Sequence, residues 1–210
     1  MKHRFENVTP KEIEARSFQI IAGELPHPLE EELAPVIMRV IHTTADFDYA
    51  DNLCFSPGAV GKGLDAIRRG ACIVTDTNMG KAGINKAALH RHGGEVFCFM
   101  ADEDVALAAA EHGTTRAAAS MNKAAKIDRP LIFAIGNAPT ALIRLRELMD
   151  AGAVRPELVI GVPVGFVNVV PAKELLMEAD APYIVARGRK GGSNVAAAIC
   201  NALLYQLGRE

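Results

Sequence analysis

Five short apolar runs, each followed by a stretch with helical spacing, restrict the possible folds of this chain more than any other feature. They are ACIVTD at residues 71–76, EVFCFMA at 95–101, PLIFAIGN at 130–137, ELVIGVP at 157–163 and PYIVARG at 182–188. Almost every position in them is apolar, so no face is reserved for water, and strands of this kind have to be covered on both sides. Parallel strands need long crossover connections, and the helical patterns between the runs supply them. The expected fold is α/β: three α/β/α layers around a parallel five-stranded sheet, in a single domain. Several helix ends are legible too. Ser56 and Pro57 read as cap and first turn, Gly70 follows a helix end, Asp102 opens the next helix, Gly113 closes it, and Gly152 closes another. Residues 1–70 read as helices and loops packed on an α/β core of residues 71–210, with 1–210 forming one unit.

Composition narrows the class. The chain has 210 residues, 50% of them apolar, which is enough for a substantial core. No apolar run is long enough to span a bilayer, so no membrane partner is expected. The start, MKHRFENVTPKEIE, has no apolar segment of the secretory kind, and a cytoplasmic protein is expected. Net charge is -2 with signs mixed, and the aromatic content is 5% without Trp. Neither a basic stripe nor stacking platforms are offered, so nucleic acid is not an expected partner. Cys54, Cys72, Cys98 and Cys200 are far apart and lack histidines at metal-ligand spacing, which reads as reduced thiols and no metal site.

In a parallel sheet the loops at the carboxyl ends of the strands share one edge, and ligands bind there. Those loops read TNMGKAG, ADED, GNAPT, VGFVN and RGRKGGSN. The last, residues 187–194, gathers Arg187, Arg189 and Lys190 with Gly191, Gly192 and Ser193, here read as a helix cap. It is either a receptor for an anion, built from charged donors and free amides, or a solvated turn before a helix. In GNAPT, Asn137 serves ligand binding or ordinary helix initiation. Arg116 falls in the first turn of a helix that follows Thr114 and Thr115, where a cation opposes the helix dipole unless an anion is nearby.

His42 is the leading candidate for chemistry. Leu29, Leu33, Val36, Ile37, Val40 and Ile41 recur every three or four residues, one face of a helix that runs out into Thr43, Thr44 and Asp46. A histidine in or just after the last turn meets the negative end of the helix dipole, which favours the imidazolium by about 0.3 to 1 kcal/mol. Two roles stay open on these residues alone: a proton donor, or a cap on the last carbonyls.

Together these segments resemble the precorrin-8X methylmutase family, which includes the cobalt-precorrin-8 methylmutases of vitamin B12 biosynthesis. The blocks that carry the resemblance are SFQII, RVIHTTADFDYA, FSPGAVGKGLDAIRRGACIVTDTNMGKAGI, EVFCFMAD, GTTRAAASM, FAIGNAPTAL, RPELVIGVPVGFVNVV and ARGRKGGSNVAAAICNALL, collinear over almost the whole chain. The chain departs from the family pattern at residues 171–174, PAKE in place of ESKE. Proline is tolerated in a first helical turn, but any polar contact of that glutamate is lost.

The resemblance implies a methyl shift from C11 to C12 of a corrinoid ring, giving hydrogenobyrinic or cobyrinic acid without a cofactor. It makes His42 the general acid, and Ser17 and Arg116 site residues. It also implies a homodimer with sites near the subunit interface. The substrate's rim of acetates and propionates would give Thr43, Thr114, Thr115, Arg116, Asn137 and the 187–193 loop one purpose as polycarboxylate contacts. Two other classes compete. One is a corrinoid-binding or hand-over protein without turnover, with His42 as a contact or cobalt ligand. The other is a binder of a smaller phosphate or nucleotide, which the lack of a Walker loop and of Gly-x-Gly-x-x-Gly disfavours.

Overall fold

The computed structural model describes Val8, Thr9 and residues 12–208. The elements are α1 (Ile13–Glu24), α2 (Ala34–Thr44), α3 (Tyr49–Asn52), β1 (Leu53–Phe55), α4 (Ala59–Arg68), β2 (Cys72–Thr75), α5 (Asn78–Gly83), α6 (Lys86–His90), β3 (Val96–Phe97), α7 (Glu103–Glu111), α8 (Arg116–Ala124), β4 (Leu131–Ile135), α9 (Pro139–Asp150), β5 (Leu158–Gly161), α10 (Val169–Met177), β6 (Tyr183–Ala186) and α11 (Ser193–Gln206). No described helix is long and apolar enough to cross a membrane.

All five apolar runs form strands, and all five are mutually parallel. The sheet nevertheless has six strands, in the order β1-β6-β5-β4-β2-β3, and is mixed. The sixth, β1, pairs antiparallel with β6, Leu53 opposite Ala186 and Phe55 opposite Ile184. This corrects the expectation of a purely parallel five-stranded sheet. Three residues after a short helix carry no alternation to read, and what selects them is the open row of backbone groups on the outer edge of β6. Ser56 continues that ladder instead of capping α4: its N–H donates to the Tyr183 carbonyl, and its hydroxyl accepts from the Tyr183 N–H. Gly58, with φ of 67°, precedes α4.

Alternate strand residues enter two cores, the physical content of a sheet covered on both faces. Ile73, Ile132, Ile160 and Ile184 pack with α2, α4 and α11, whereas Val74, Phe133, Val159 and Val185 pack with α8, α9 and α10. Each fully buried aliphatic or aromatic side chain of this kind is worth about 1.5 to 3 kcal/mol. In α2 the buried residues are Val36, Ile37, Val40 and Ile41, four of the six positions read as one helical face; Leu29 and Leu33 precede the helix and are partly buried, because the chain turns before Ala34. Helix α11, the most apolar of the long helices, packs against α2 and α5 and so connects the N-terminal helices to the sheet.

Candidate active site

His42 lies in the last turn of α2 and is exposed. The helix stops at Ala45, which adopts a left-handed conformation with φ of 53° and donates its N–H to the Ile41 carbonyl. Thr43 and Thr44 return their hydroxyls to the Arg39 and Val40 carbonyls, and the imidazole makes no hydrogen bond to a described residue, so it does not cap the helix. The ring instead meets Phe18 of α1 edge-on, with centroids 5.5 Å apart and planes at 84°. Arg39, one turn earlier, lays its guanidinium between Phe18 and Tyr205, at 4.9 and 5.1 Å from the ring centroids, and pairs with both oxygens of Glu14. Its Nε is buried with no hydrogen-bond partner among the described residues. Ser17, beside Phe18, is half-buried and donates its hydroxyl to the Ile13 carbonyl. Arg39, Thr43, Gly83, Asn194, Asn201 and Tyr205 line a groove of about 270 Å³, which runs beside the end of α2 along α11.

The 187–193 loop reaches the same end of α2. Lys190 Nζ lies 2.6 Å from a carboxylate oxygen of Asp46 and 2.6 Å from one of Asp48. That bond holds the Asp46 carboxyl below the usual carboxylate range. Arg187 forms a two-pronged pair with Glu174 at 2.9 Å. Arg189 has no ion pair among the described residues, and its guanidinium sits over Phe166, 5.3 Å from the centroid. The loop's basic groups therefore divide into two engaged in holding its shape and one directed elsewhere. Gly191 has φ of 155°, and a Cβ there would collide with the Val162 carbonyl, so only glycine permits this approach to the end of β5. Gly192, also at positive φ, precedes α11. Ser193 is the first helical residue rather than a cap, and its hydroxyl bonds Thr77 at 2.7 Å.

The loops after β2 and β4 meet on the same edge. Asp76, buried at the end of β2, accepts the N–H groups of Gly136, Asn137 and Ala138 at 2.9, 2.8 and 2.6 Å. Burial pushes its carboxyl up, and the three amide bonds oppose that. The amides that open α9 are thus filled from within, and Asn137 is left exposed above them. Gly136 lies against Ser193, where a Cβ would come within 2.7 Å of the Ser193 Cα. Thr115 caps α8 by accepting from Ala118 and joins Thr140 of α9 at 2.8 Å. Arg116 follows, exposed, with no ion pair among the described residues. Thr114 is exposed and donates its N–H to the Ala109 carbonyl.

The contacts Lys190–Asp46, Ser193–Thr77, Gly136–Ser193 and Thr115–Thr140 place every proposed contact loop on the carboxyl edge of the sheet. His42 and Arg116 come from opposite layers, one beside α11 and the other beside α9. The edge also exposes large apolar side chains: Met79 after β2, and Val164, Phe166 and Val167 after β5. Exposed apolar surface beside the Arg189 guanidinium, which has no ion pair among the described residues, suits a flat, apolar ring with an anionic rim. The orienting residues Phe18 and Asp76 and the fully buried Lys173 went unread in the sequence. Lys173 carried a signal, since it falls on the helical stripe of Val169, Ala172 and Leu176. Pro171, the departure from ESKE, occupies the third position of α10 and is exposed, so the helix forms around it.

The family model for precorrin-8X methylmutase matches residues 12–206. Cobalt-precorrin-8 methylmutase of Priestia megaterium is 46% identical over 197 residues, 93% of this chain and 88% of that protein. The enzyme of the same name from Salmonella typhimurium is 47% identical over 208 residues, covering 94% of this chain and 96% of its own. The crystal structure of precorrin-8X methylmutase from Thermus thermophilus superposes with a TM-score of 0.83 at 44% identity, covering 92% of this chain and 96% of that one. With a family-model match over residues 12–206 and relatives this similar, the chain belongs to the precorrin-8X methylmutase family.

Proposed function

We propose that this member of the family moves the methyl group from C11 to C12 of precorrin-8X or cobalt-precorrin-8, giving hydrogenobyrinic or cobyrinic acid, with His42 as general acid. The observation that carries the reading is an exposed imidazole, oriented by Phe18, at the end of α2 beside the loops of the sheet's carboxyl edge. Protonation of the macrocycle near ring C draws electron density toward the migration terminus, and a positioned acid contributes about 10² to 10⁴-fold. The rest comes from holding the ring in one geometry and from fixed dipoles, with no cofactor taking part.

Arg116 and Arg189 take rim carboxylates as ion pairs, because neither is spent on an internal partner among the described residues. Ser17, Thr43, Thr114, Thr115, Asn137, Gly191, Gly192 and Ser193 are the neutral contacts of the rim, while Arg187 and Lys190 hold the loop in shape. Residues 1–70 and 71–210 act as one unit, since His42 and the loop anchored by Lys190 serve the same ring. The protein works as a cytoplasmic homodimer with its sites near the subunit interface. Incubation of the purified protein with metal-free and cobalt-containing precorrin-8, followed by absorption and mass, tests this. A new absorption spectrum at unchanged mass is expected with at least one of them. Binding of both without any spectral change overturns the enzymatic reading.

A further inference from the structure

Lys173 is fully buried, and no described carboxylate lies within ion-pair distance of it. Its neighbour Glu174 is already paired with Arg187. An uncompensated ammonium inside a protein is costly, and it persists where its hydrogen bonds do something specific. The Lys173 Nζ donates to two acceptors, the Gly188 and Lys190 carbonyls, each at 2.8 Å. Between them the Arg189 carbonyl accepts from the Gly165 N–H at 3.2 Å. Three successive carbonyls of the loop are therefore turned toward the protein.

The peptide bonds are trans, so each N–H points opposite to the carbonyl that precedes it. With the Gly188 and Lys190 carbonyls drawn onto Lys173, the N–H groups of Arg189 and Gly191 point away from it. Neither has an acceptor among the described residues. We propose that Lys173 is the positioning residue of a carboxylate receptor for the corrinoid rim: by gathering these two carbonyls it turns the Arg189 and Gly191 amides outward as a pair of fixed donors, with a buried positive charge behind them. This rests on the reading of the chain as a corrinoid methylmutase and adds to it the group that shapes the loop. Backbone donors converging in this way, with glycines at positive φ on either side, suit a carboxylate oxygen.

The test compares the wild type with Lys173→Met, which keeps the length and removes the donors, and with Lys173→Gln, which returns two N–H donors without charge. The Kd for hydrogenobyrinic acid is expected to rise about tenfold or more in Lys173→Met and less in Lys173→Gln. Single-turnover rates at saturating substrate should stay within about threefold of wild type, because His42 is untouched. A role in folding alone would lower thermal stability without separating affinity from rate. In the wild type, hydrogen exchange at residues 188–191 should slow when hydrogenobyrinic acid is bound, a measurement that holds even if Lys173→Met does not fold. Unchanged Kd in Lys173→Met, or no slowing in the saturated wild type, overturns the proposal. Failure of the wild type to bind or turn over any corrinoid instead overturns the functional reading beneath it.

Discussion

The Phe18 ring of α1 stands edge-on to the His42 imidazole of α2, 5.5 Å between centroids and 84° between planes. The same Phe18 carries the Arg39 guanidinium 4.9 Å from its centroid, and Arg39 pairs with Glu14 on α1. The orientation of the candidate acid thus depends on a helix that contributes no strand to the sheet. An edge-to-face aromatic pair is worth about 0.5 to 1.5 kcal/mol. Phe18→Ala should therefore lower the single-turnover rate by up to about tenfold while the Kd for product changes less. A rate equal to wild type at saturation would show that Phe18 does not hold the ring.

Removing the acid itself should cost more. His42→Ala and His42→Asn are expected to lose about 10² to 10⁴-fold in single-turnover rate, the range of a positioned proton donor, with folding and product affinity largely retained. The imidazole bonds no backbone carbonyl among the described residues, and the cap N–H of Ala45 goes to the Ile41 carbonyl, so neither change removes a helix cap. Near-normal turnover in either variant rules out His42 as the acid.

Cations on this edge should not contribute equally to anion binding. Arg116 has no internal ion pair among the described residues, whereas Lys190 is held by Asp46 and Asp48. Arg116→Ala should weaken product binding by about tenfold at low salt and by less at high salt, as expected of a screened contact. Lys190→Met should weaken it less and act mainly by loosening the loop. Titrations at two ionic strengths decide, and equal losses for both variants would contradict this division.

Lys173 gives stability a pH dependence whose sign follows from its burial. Desolvation lowers its pKa to about 8, against 10.5 for a free side chain. Between these values the unfolded chain holds the proton more often than the folded one, so stability rises with pH across that interval. The penalty of the buried ammonium is fully present below about pH 8 and is relieved as pH climbs through it. Urea midpoints of wild type minus Lys173→Met should therefore increase from pH 7 to pH 9.5. A difference that is flat or falls over that range shows that the folded lysine keeps its proton.

The sequence by itself determined the five parallel strands, the stripe of α2 and the location of His42 in that helix's last turn. Those features are local: uninterrupted apolar runs and a period of three to four residues are written in consecutive positions. It also placed Arg116 at a helix start and the glycine-rich loops at strand ends. Tertiary structure alone decided β1, because a three-residue edge strand is chosen by its partner's open backbone groups. It alone decided that Lys190 reaches Asp46 across the chain, that Asp76 fills the amides opening α9, and that Ser193 bonds Thr77 instead of capping. Each of these joins residues far apart in sequence. A charged or polar side chain has no signature for which distant partner will satisfy it, since that choice is made by packing the two apolar cores against the sheet.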